Sequence, residues 1–317
     1  MSAVVIDGGT FTLEQRPLPT VGPQDVLVRV AAAGLNAADL AQAQGAYPAP
    51  PGVPADIPGL ECAGRVVRAG SGVSGAVGER VMALVGGGAH AEYVAVPATH
   101  LIPIPENVDD LTAAGFVEAF STAWDGLVNQ ARIGAGERVL ITGAAGGVGT
   151  ALIQVAVGQG ACVVASVRDR SLHDKVRALV PGLTVVTPES EEAHGPYDVI
   201  VELAAGSGLG AKVHWVHPYG RILVIGLSDW EPVPIRLIDM MTRRARILGT
   251  TIRARSIAEK TLVARSVDRH LVPRLAAGEI GVPIDSVFAL SKYAHAYQRL
   301  AERGKFGKVV LDIDRSA

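Results

Sequence analysis

The chain has 317 residues, of which 49% are hydrophobic and 19% charged, so it can bury a sizeable core and is not a disordered protein. At about 150 residues per domain, this length predicts roughly two domains. The net charge of −2 makes nucleic acid a poor primary partner, and no apolar run reaches the length of about 18 residues that a membrane span needs.

Aromatic residues make up only 4% of the chain, so the core is built from aliphatic side chains, which suits a parallel sheet covered on both faces. Two cysteines, Cys62 and Cys162, are too few for a disulfide framework or a thiolate metal site. The amino-terminal segment has neither a basic region nor a long apolar region, so we expect no signal peptide. These features predict a cytoplasmic protein.

The first third of the chain is rich in glycine and proline and carries short strand candidates. They lie at residues 26–31, 63–67, 80–84 and 91–96, and turn-forming clusters at 48–58 and 70–78 separate them. This pattern predicts an irregular, mostly β domain.

From about Ala113 strands and helices alternate. Helix candidates lie at 112–128, 147–158 and 173–180, and strand candidates at 138–142, 162–167, 183–186, 198–203 and 221–226. This alternation is typical of βαβ units and a parallel sheet, so the fold class is α/β. Further along we expect a long helix at 260–277, a strand near Val287, a helix at 291–303 and a final strand at 308–312. That last piece can return to the first domain.

A glycine-rich turn follows the strand at 138–142. The segment Gly143-Ala144-Ala-Gly146-Gly147-Val148-Gly149 leads directly into a helix, and this strand–turn–helix context favours a dinucleotide site over a ligand-free turn. Glycines let a pyrophosphate approach the backbone, and the helix start offers unpaired N–H groups. The spacing differs by one position from the common G-x-G-x-x-G form.

The end of the second strand of this fold bears on which cofactor binds. An NAD site places an acid there, but this strand ends in Ser166-Val-Arg168, with Arg170 nearby. A hydroxyl and a guanidinium suit a 2′-phosphate, so NADPH is the expected cofactor. Asp169 complicates this expectation, because an inward carboxylate repels phosphate. Arg168 as a solvated loop charge stays an alternative.

Several short motifs in order and spacing resemble those of a known family. They are Gly34-Leu-Asn36-Ala-Ala-Asp39, Gly45-Ala-Tyr47-Pro48, Pro58-Gly59-Leu-Glu61-Cys-Ala-Gly64, Gly88-Ala-His-Ala-Glu92-Tyr93, Ser121-Thr122-Ala-Trp124, Ala144-Ala-Gly146-Gly-Val-Gly149, Gly249-Thr-Thr-Ile-Arg253 and Gly307-Lys308. Over nearly its whole length the chain resembles the medium-chain dehydrogenases/reductases, and specifically their zinc-independent quinone-oxidoreductase branch.

The resemblance implies a GroES-like catalytic domain at 1–120, a doubly wound Rossmann domain that binds NADPH at 121–260, and a return to the catalytic domain at 261–317. It implies an active site in the cleft between the domains, with Asn36 and Tyr47 at the substrate end. The residues expected to bind the cofactor are Thr122, Gly143, Ala144, Gly146, Gly147, Val148, Gly149, Ser166, Arg168, Gly226, Arg253 and Lys308.

Zinc is not expected. Zinc-dependent relatives carry a cysteine where this chain has Asn36 and a histidine where it has Leu60, and neither replacement is a zinc ligand. Two cysteines cannot form the four-cysteine structural site. His214 and His217 are close enough in sequence to bind a metal, but exposure to solvent at a helix end is the favoured interpretation.

Without a Lewis acid, the acceptor must already be electrophilic, as quinones and α,β-unsaturated carbonyls are. The hypothesis is hydride delivery from the nicotinamide, with the proton supplied by Tyr47 or by water. Since the phenol has an ordinary pKa near 10, Tyr47 suits a hydrogen-bond donor better than a base. The alternative is a loop aromatic that packs on Pro48 and Pro50. Asp39 is expected to be structural.

Two positions depart from the family pattern. Ala43 stands where the family carries an arginine, so a charged group near the acceptor is missing, and Lys305 replaces an asparagine before the final Gly-Lys. The first departure weakens an assignment to simple benzoquinones, and the second leaves the cofactor contact of that segment open.

Three functional hypotheses remain: an NADPH-dependent quinone or enone reductase, an enoyl-thioester or polyketide-tailoring reductase, and a protein that holds NADPH without turnover. A small-molecule substrate is expected as the partner. A homodimer is the usual state of the family, and segments 221–227 and 246–251 are candidate edge strands for joining two Rossmann sheets.

Overall fold

The computed structural model describes residues 1–228 and 230–314, and the chain divides into two compact units. The first unit consists of Met1–Ser121 together with the chain from Ile252 onward, and the second unit is Thr122–Thr251. The sequence predicts the second domain boundary at 260/261. In the structure residues 252–260 group with the first unit, so the boundary lies at 251/252.

The strands, in chain order, are β1 (Ser2–Asp7), β2 (Thr10–Gln15), β3 (Asp25–Gly34), β4 (Glu61–Ala69), β5 (Arg80–Leu84), β6 (Tyr93–Pro97), β7 (Leu101–Pro103), β8 (Arg138–Ile141), β9 (Cys162–Ser166), β10 (Thr184–Val186), β11 (Tyr197–Glu202), β12 (Val216–Val224), β13 (Arg246–Gly249), β14 (Ile284–Ala289) and β15 (Lys308–Asp312). The α-helices are α1 (Ala37–Ala43), α2 (Asp110–Trp124), α3 (Gly147–Gly158), α4 (His173–Arg177), α5 (Leu209–Lys212), α6 (Leu237–Arg243), α7 (Ile257–His270), α8 (Val272–Ala276) and α9 (Tyr293–Ala301). A π-helical segment, Asp125–Gln130, follows α2.

The second unit is built on a parallel sheet. Its strand order is β10-β9-β8-β11-β12-β13, and every neighbouring pair is parallel. The central strands are uninterrupted aliphatic runs such as Val199-Ile-Val201, all fully buried. Burial on both faces explains why these strands lack an alternating polar pattern. This sheet confirms the predicted α/β class with a Rossmann-like domain.

The first unit is mainly antiparallel. One sheet has the order β14-β15-β3-β4-β5-β7, with β6 also paired to β3, and β1 and β2 form a separate hairpin. The long strand β3 pairs with β4 on one side and with β6 and β15 on the other. The carboxyl-terminal strand thus lies beside the strand that leads to Asn36, which brings Lys308 to the same place.

Two sequence predictions need correction. The helix predicted at 260–277 ends at His270 and restarts as α8, where Pro273 stands in the first turn and has no N–H to continue the ladder of α7. Segment 221–227 is not an edge strand, because β12 lies between β11 and β13; of the two predicted segments, the one that contains β13 lies at an edge of the sheet. No helix in the described part of the chain is long and apolar enough to cross a bilayer.

Candidate active site

The glycine-rich turn of the second unit joins β8 to α3. Gly143 has a left-handed backbone with φ of +61°, and Gly146 precedes the first helical residue, Gly147. A Cβ at Gly149 would lie 2.5 Å from the carbonyl oxygen of Gly143 and 2.7 Å from the Cα of Ala144, so no side chain fits there. The first-turn N–H groups of a helix have no intrahelical acceptor. This turn therefore suits a pyrophosphate, with Val148 and its glycine neighbours as donors.

The carboxyl end of β12 adjoins the segment that follows β11. Gly226 accepts a hydrogen bond from the N–H of Ala205 (2.9 Å), and a Cβ at Gly226 would lie 2.4 Å from the carbonyl oxygen of Leu203. Parallel α/β sheets bind ligands at the carboxyl ends of their strands. The glycine turn and Gly226 therefore lie at the edge where a dinucleotide is expected. Thr122, also predicted to contact the cofactor, lies buried within α2.

The hydroxyl of Ser166, predicted to bind a 2′-phosphate, is hydrogen-bonded within the protein. Ser166 ends β9 as expected, but it is buried, and its hydroxyl donates to Oε1 of Glu191 at 2.5 Å. A serine has one hydroxyl proton to donate, and the carboxylate of Glu191 takes it. Binding of a 2′-phosphate by Ser166 stays a prediction, and it requires the hydroxyl to leave Glu191.

Glu191 belongs to a buried ionic network that the sequence did not reveal. The Nζ of Lys212 lies 2.9 Å from Glu191 and 2.5 Å from Glu202, and Thr142 donates to the other oxygen of Glu202 at 3.2 Å. Burial raises the pKa of Glu202 above its ordinary value, although the Lys212 charge opposes this. Glu191 and Lys212 lie in short helical segments far apart in sequence, so no local pattern predicts their meeting.

Arg168 lies on the exposed loop after β9, together with Asp169 and Arg170. The carboxylate of Asp169 accepts hydrogen bonds from the N–H and the hydroxyl of Ser171, at 2.9 and 2.7 Å, and these bonds lower its pKa. Asp169 therefore caps the helical turn that follows it. The guanidinium of Arg168 donates no hydrogen bond to any residue in the described ranges, 1–228 and 230–314.

The first unit contains a buried polar network at the start of α1. Glu61 accepts hydrogen bonds from Lys308 Nζ (2.6 Å), from Asn36 Nδ2 (3.0 Å) and from the N–H of Glu118 (2.8 Å). Lys308 also donates to the carbonyl of Leu35 (3.0 Å) and to Asn36 Oδ1 (2.5 Å). Lys308, Asn36 and Glu61 are all buried.

This network engages two residues, Lys308 and Asn36, for which the sequence predicts roles in cofactor and substrate binding. A lysine ammonium has three donors, and all three of Lys308 are used within the first unit, so none is left for a cofactor. Both amide protons of Asn36 are directed at protein acceptors, the carboxylate of Glu61 and, at 3.4 Å, the carbonyl of Gly34. Asn36 therefore has no amide proton left for a substrate carbonyl.

Arg253 is also placed differently from its prediction as a cofactor contact. It is buried, and it donates to the carbonyls of Gly86 and Tyr47, both at 2.8 Å, and to Gln42 Oε1 at 2.5 Å. Its guanidinium carbon lies 5.1 Å from the centre of the half-buried Tyr47 ring. Burial lowers the pKa of Arg253. Arg253 thus holds the loop that carries Tyr47.

Ser121 adds a buried hydroxyl that the sequence left unassigned. Its Oγ has no hydrogen-bond partner among the described residues. An unsatisfied buried hydroxyl is costly and calls for an explanation such as a ligand. Its place in the Ser121-Thr122 motif is the signal that points to it.

Comparisons with known families agree with this architecture. Residues 22–106 match the model of the alcohol dehydrogenase GroES-like domain, and residues 180–311 match that of the zinc-binding dehydrogenases. Zinc does not fit the residues present. Leu60 is apolar, the Asn36 amide is bonded to an ammonium, and no three His, Cys, Asp or Glu side chains in the described ranges form a metal site. His214 instead pairs with Asp239 at 3.1 Å.

The chain is similar to oxidoreductases along its whole length. It is 30% identical to the quinone oxidoreductase-like protein 2 homolog of Nematostella vectensis, over 92% of this chain and 82% of that protein. It is 31% identical to the quinone oxidoreductase of Thermus thermophilus, also crystallised with NADPH, with a TM-score of 0.85 over 99% of this chain and 100% of that one. It is 30% identical, over 91% of its length, to 13% of a phenolphthiocerol/phthiocerol polyketide synthase of Mycobacterium tuberculosis. The chain belongs to the medium-chain dehydrogenase/reductase superfamily, in its quinone oxidoreductase-like branch.

Proposed function

We propose that this oxidoreductase is a zinc-independent, NADPH-dependent reductase of quinones or α,β-unsaturated carbonyl compounds. The observation that carries the proposal is the donor set of the first unit. An ammonium, Lys308, bonds the amide that stands at one metal-ligand position of zinc-dependent relatives, and Leu60 stands at the other. Without a metal to polarise an alcohol or a simple carbonyl, the acceptor must be electrophilic by itself.

The nucleotide site of the second unit would hold the cofactor. The N–H groups of Gly147, Val148 and Gly149 would bind the pyrophosphate, because they lie in the first turn of α3 and have no intrahelical acceptor. When bound, NADPH supplies a hydride, that is, two electrons and one proton. One further proton completes the reduction of a quinone to a quinol or of an enone to a saturated carbonyl, and NADP⁺ is the other product.

Tyr47 is the proposed donor toward the acceptor oxygen, either of a hydrogen bond or of the proton itself. Its backbone carbonyl and ring are held by Arg253, which orients the loop that carries the phenol. Asn36 supports this part of the chain from within the buried network, where its amide bonds Glu61 and Lys308. A donor held in place before the reaction stabilises charge as it develops on oxygen.

The preference for NADPH is proposed from charge. Arg168 and Arg170 are exposed beside the end of β9, so two positive charges stand beside the one negative charge of Asp169, whose carboxylate is held by Ser171. Guanidinium groups form strong paired hydrogen bonds with phosphate. The Thermus thermophilus relative, crystallised with NADPH, supports the same choice.

The test is Tyr47→Phe, assayed with NADPH and both 1,4-naphthoquinone and an enone. The substitution keeps the ring beside Arg253 and removes only the hydroxyl. We expect unchanged NADPH affinity and melting temperature, and kcat/KM lower by about 3- to 100-fold, since a hydrogen bond that strengthens in the transition state is lost. Tyr93→Phe, on β6, is the control. Turnover by Tyr47→Phe at the wild-type rate would exclude the hydroxyl from the reaction.

A second candidate is a reductase of enoyl thioesters or polyketide intermediates. The similarity to part of a Mycobacterium tuberculosis polyketide synthase favours it. Crotonyl-CoA and 1,4-naphthoquinone, compared at equal concentration, separate the two candidates by kcat/KM. Turnover of neither, with NADPH bound, would indicate the third hypothesis, a protein that binds NADPH without catalysis.

We further propose that the protein is a homodimer joined through β13. Among the described strands it pairs with β12 alone, so its other edge carries backbone groups that no described strand pairs with. The preceding helix, α6, exposes Leu237, Ile238 and Met241. Light scattering of the purified protein measures the oligomeric state, and a monomer would contradict the proposal.

A further inference from the structure

Arg253 stands out in the first unit as a buried cation with neutral hydrogen-bond partners. Its acceptors are two backbone carbonyls, of Gly86 and Tyr47, and the amide oxygen of Gln42. Within the described ranges no carboxylate hydrogen-bonds to it. Burying an arginine without a bonded acid is costly.

The neighbouring charges do not cancel this cation. The acid that interacts with it electrostatically is Asp39, whose two oxygens accept hydrogen bonds from the N–H groups of Asn36 and Gly59. Lys260, a second largely buried cation, lies close enough for the charge of Arg253 to lower its pKa, after the larger effect of burial. The surroundings of Arg253 therefore keep a positive potential.

The same guanidinium organises the loop that carries Tyr47. Gln42 accepts from Arg253 and donates its own Nε2 to the carbonyl of Ala55 at 2.9 Å, so these two side chains together hold both ends of the segment from Tyr47 to Ala55. Gly45, before this segment, and Gly52, within it, have left-handed backbones, with φ of +75° and +88°. Position 43 on α1 is an alanine, and α1 carries no basic residue, so the helix itself adds no positive charge.

We propose that Arg253 is the cationic positioning residue of the acceptor site, fixing Tyr47 and favouring acceptors that carry or develop negative charge. The inference rests on the proposed reduction of quinones or enones and adds to it a class of preferred acceptor, the anionic quinones. The rigid guanidinium fork matches the three hydrogen-bond acceptors, the carbonyls of Gly86 and Tyr47 and the amide oxygen of Gln42. Its charge acts through space on the quinone that is reduced. The two contributions can be separated by substitution.

The experiment compares 1,2-naphthoquinone-4-sulfonate, which is anionic, with neutral 1,2-naphthoquinone. Arg253→Lys keeps the charge and loses the fork, Arg253→Met loses both, and Gln42→Met loosens the loop while the charge stays. We expect the ratio of kcat/KM for the anionic over the neutral quinone to fall on the order of 10-fold in Arg253→Met. The ratio should stay within about 2-fold of wild type in Arg253→Lys and Gln42→Met, because both keep the cation.

A purely structural role would lower kcat/KM for both quinones alike in Arg253→Met and leave the ratio unchanged, which would overturn the inference while the proposed function stands. Equilibrium binding of the sulfonate to the protein without NADPH gives a readout independent of turnover. It should weaken in Arg253→Met and stay near wild type in Arg253→Lys. If the wild-type protein reduces no quinone or enone, the proposed function fails. In that case the binding measurement decides the inference, which fails if sulfonate binding does not depend on the charge at position 253.

Discussion

Replacing Lys308 by methionine tests whether this buried lysine serves the fold or the cofactor. Methionine nearly preserves the length of the side chain but removes the ammonium, so Glu61, which is fully buried, loses its 2.6 Å partner. Asn36 Oδ1 and the carbonyl of Leu35 each lose a donor as well. An uncompensated buried charge costs about 3–5 kcal/mol. We expect the free energy of unfolding to fall by that amount, with NADPH affinity unchanged.

The matched controls are Lys292→Met, at an exposed lysine of the first unit, and the pair Lys308→Met with Glu61→Gln. The neutral glutamine removes the buried charge that has lost its partner. The double variant should therefore lose less stability than the two single variants lose together, with a difference of about 2 kcal/mol or more. Trp124, Trp215 and Trp230 all lie in the second unit. Urea unfolding is therefore followed by circular dichroism, which includes the first unit, and by tryptophan fluorescence as a separate probe of the second.

Two results would refute this reasoning. A loss of less than about 1 kcal/mol would mean that Lys308 and Glu61 are not coupled as a buried pair. A stability like that of wild type, together with about 10-fold weaker NADPH binding, would mean that the lysine serves the cofactor after all.

Further predictions concern the second unit. Arg168→Ala should weaken NADPH binding by roughly 10- to 150-fold, the equivalent of a charged hydrogen bond of about 1.5–3 kcal/mol, and leave NADH binding nearly unchanged. Fluorescence titration measures both, Arg177→Ala on α4 is the control, and equal losses for the two cofactors would show that Arg168 does not contact the 2′-phosphate. Glu137→Gln removes the carboxylate that Arg221 bonds with both of its terminal nitrogens, at 2.8 and 2.7 Å. These bonds lower the pKa of Glu137, so their stabilisation is present above its unfolded value of about 4.3 and is lost as the pH falls through the folded value. The free energy of unfolding of the variant should be about 1 kcal/mol lower than that of wild type at pH 7, and the difference should shrink as the pH falls below 4. Urea unfolding at several pH values measures it. The same difference at every pH would contradict the assignment of this stabilisation to the ionised Glu137.

Much of the second unit could be predicted because its signals are local. The bounds of α3, 147–158, follow from glycines at its start and from helical spacing of apolar residues, and the strands were visible as aliphatic runs. The prediction of one helix at 260–277 was wrong because the apolar spacing continues across Pro273, whereas the proline has no N–H to continue the helix and the backbone breaks before it. The prediction that segment 221–227 forms an edge strand was wrong because strand order depends on how segments distant in sequence pair.

The sequence by itself determined the family, the α/β class, and the glycine-rich turn between a strand and a helix. Each depends on residue types at fixed short spacings, which the backbone translates directly into geometry. Only the tertiary structure decided the roles of Lys308, Ser166 and Arg253. Their partners lie far away in sequence, as with Lys308 and Asn36, 272 residues apart, or Arg253 and Tyr47, 206 residues apart. A buried donor is assigned by the acceptors that the fold brings to it, because an unpaired polar group in the interior is costly, and no local pattern encodes that encounter.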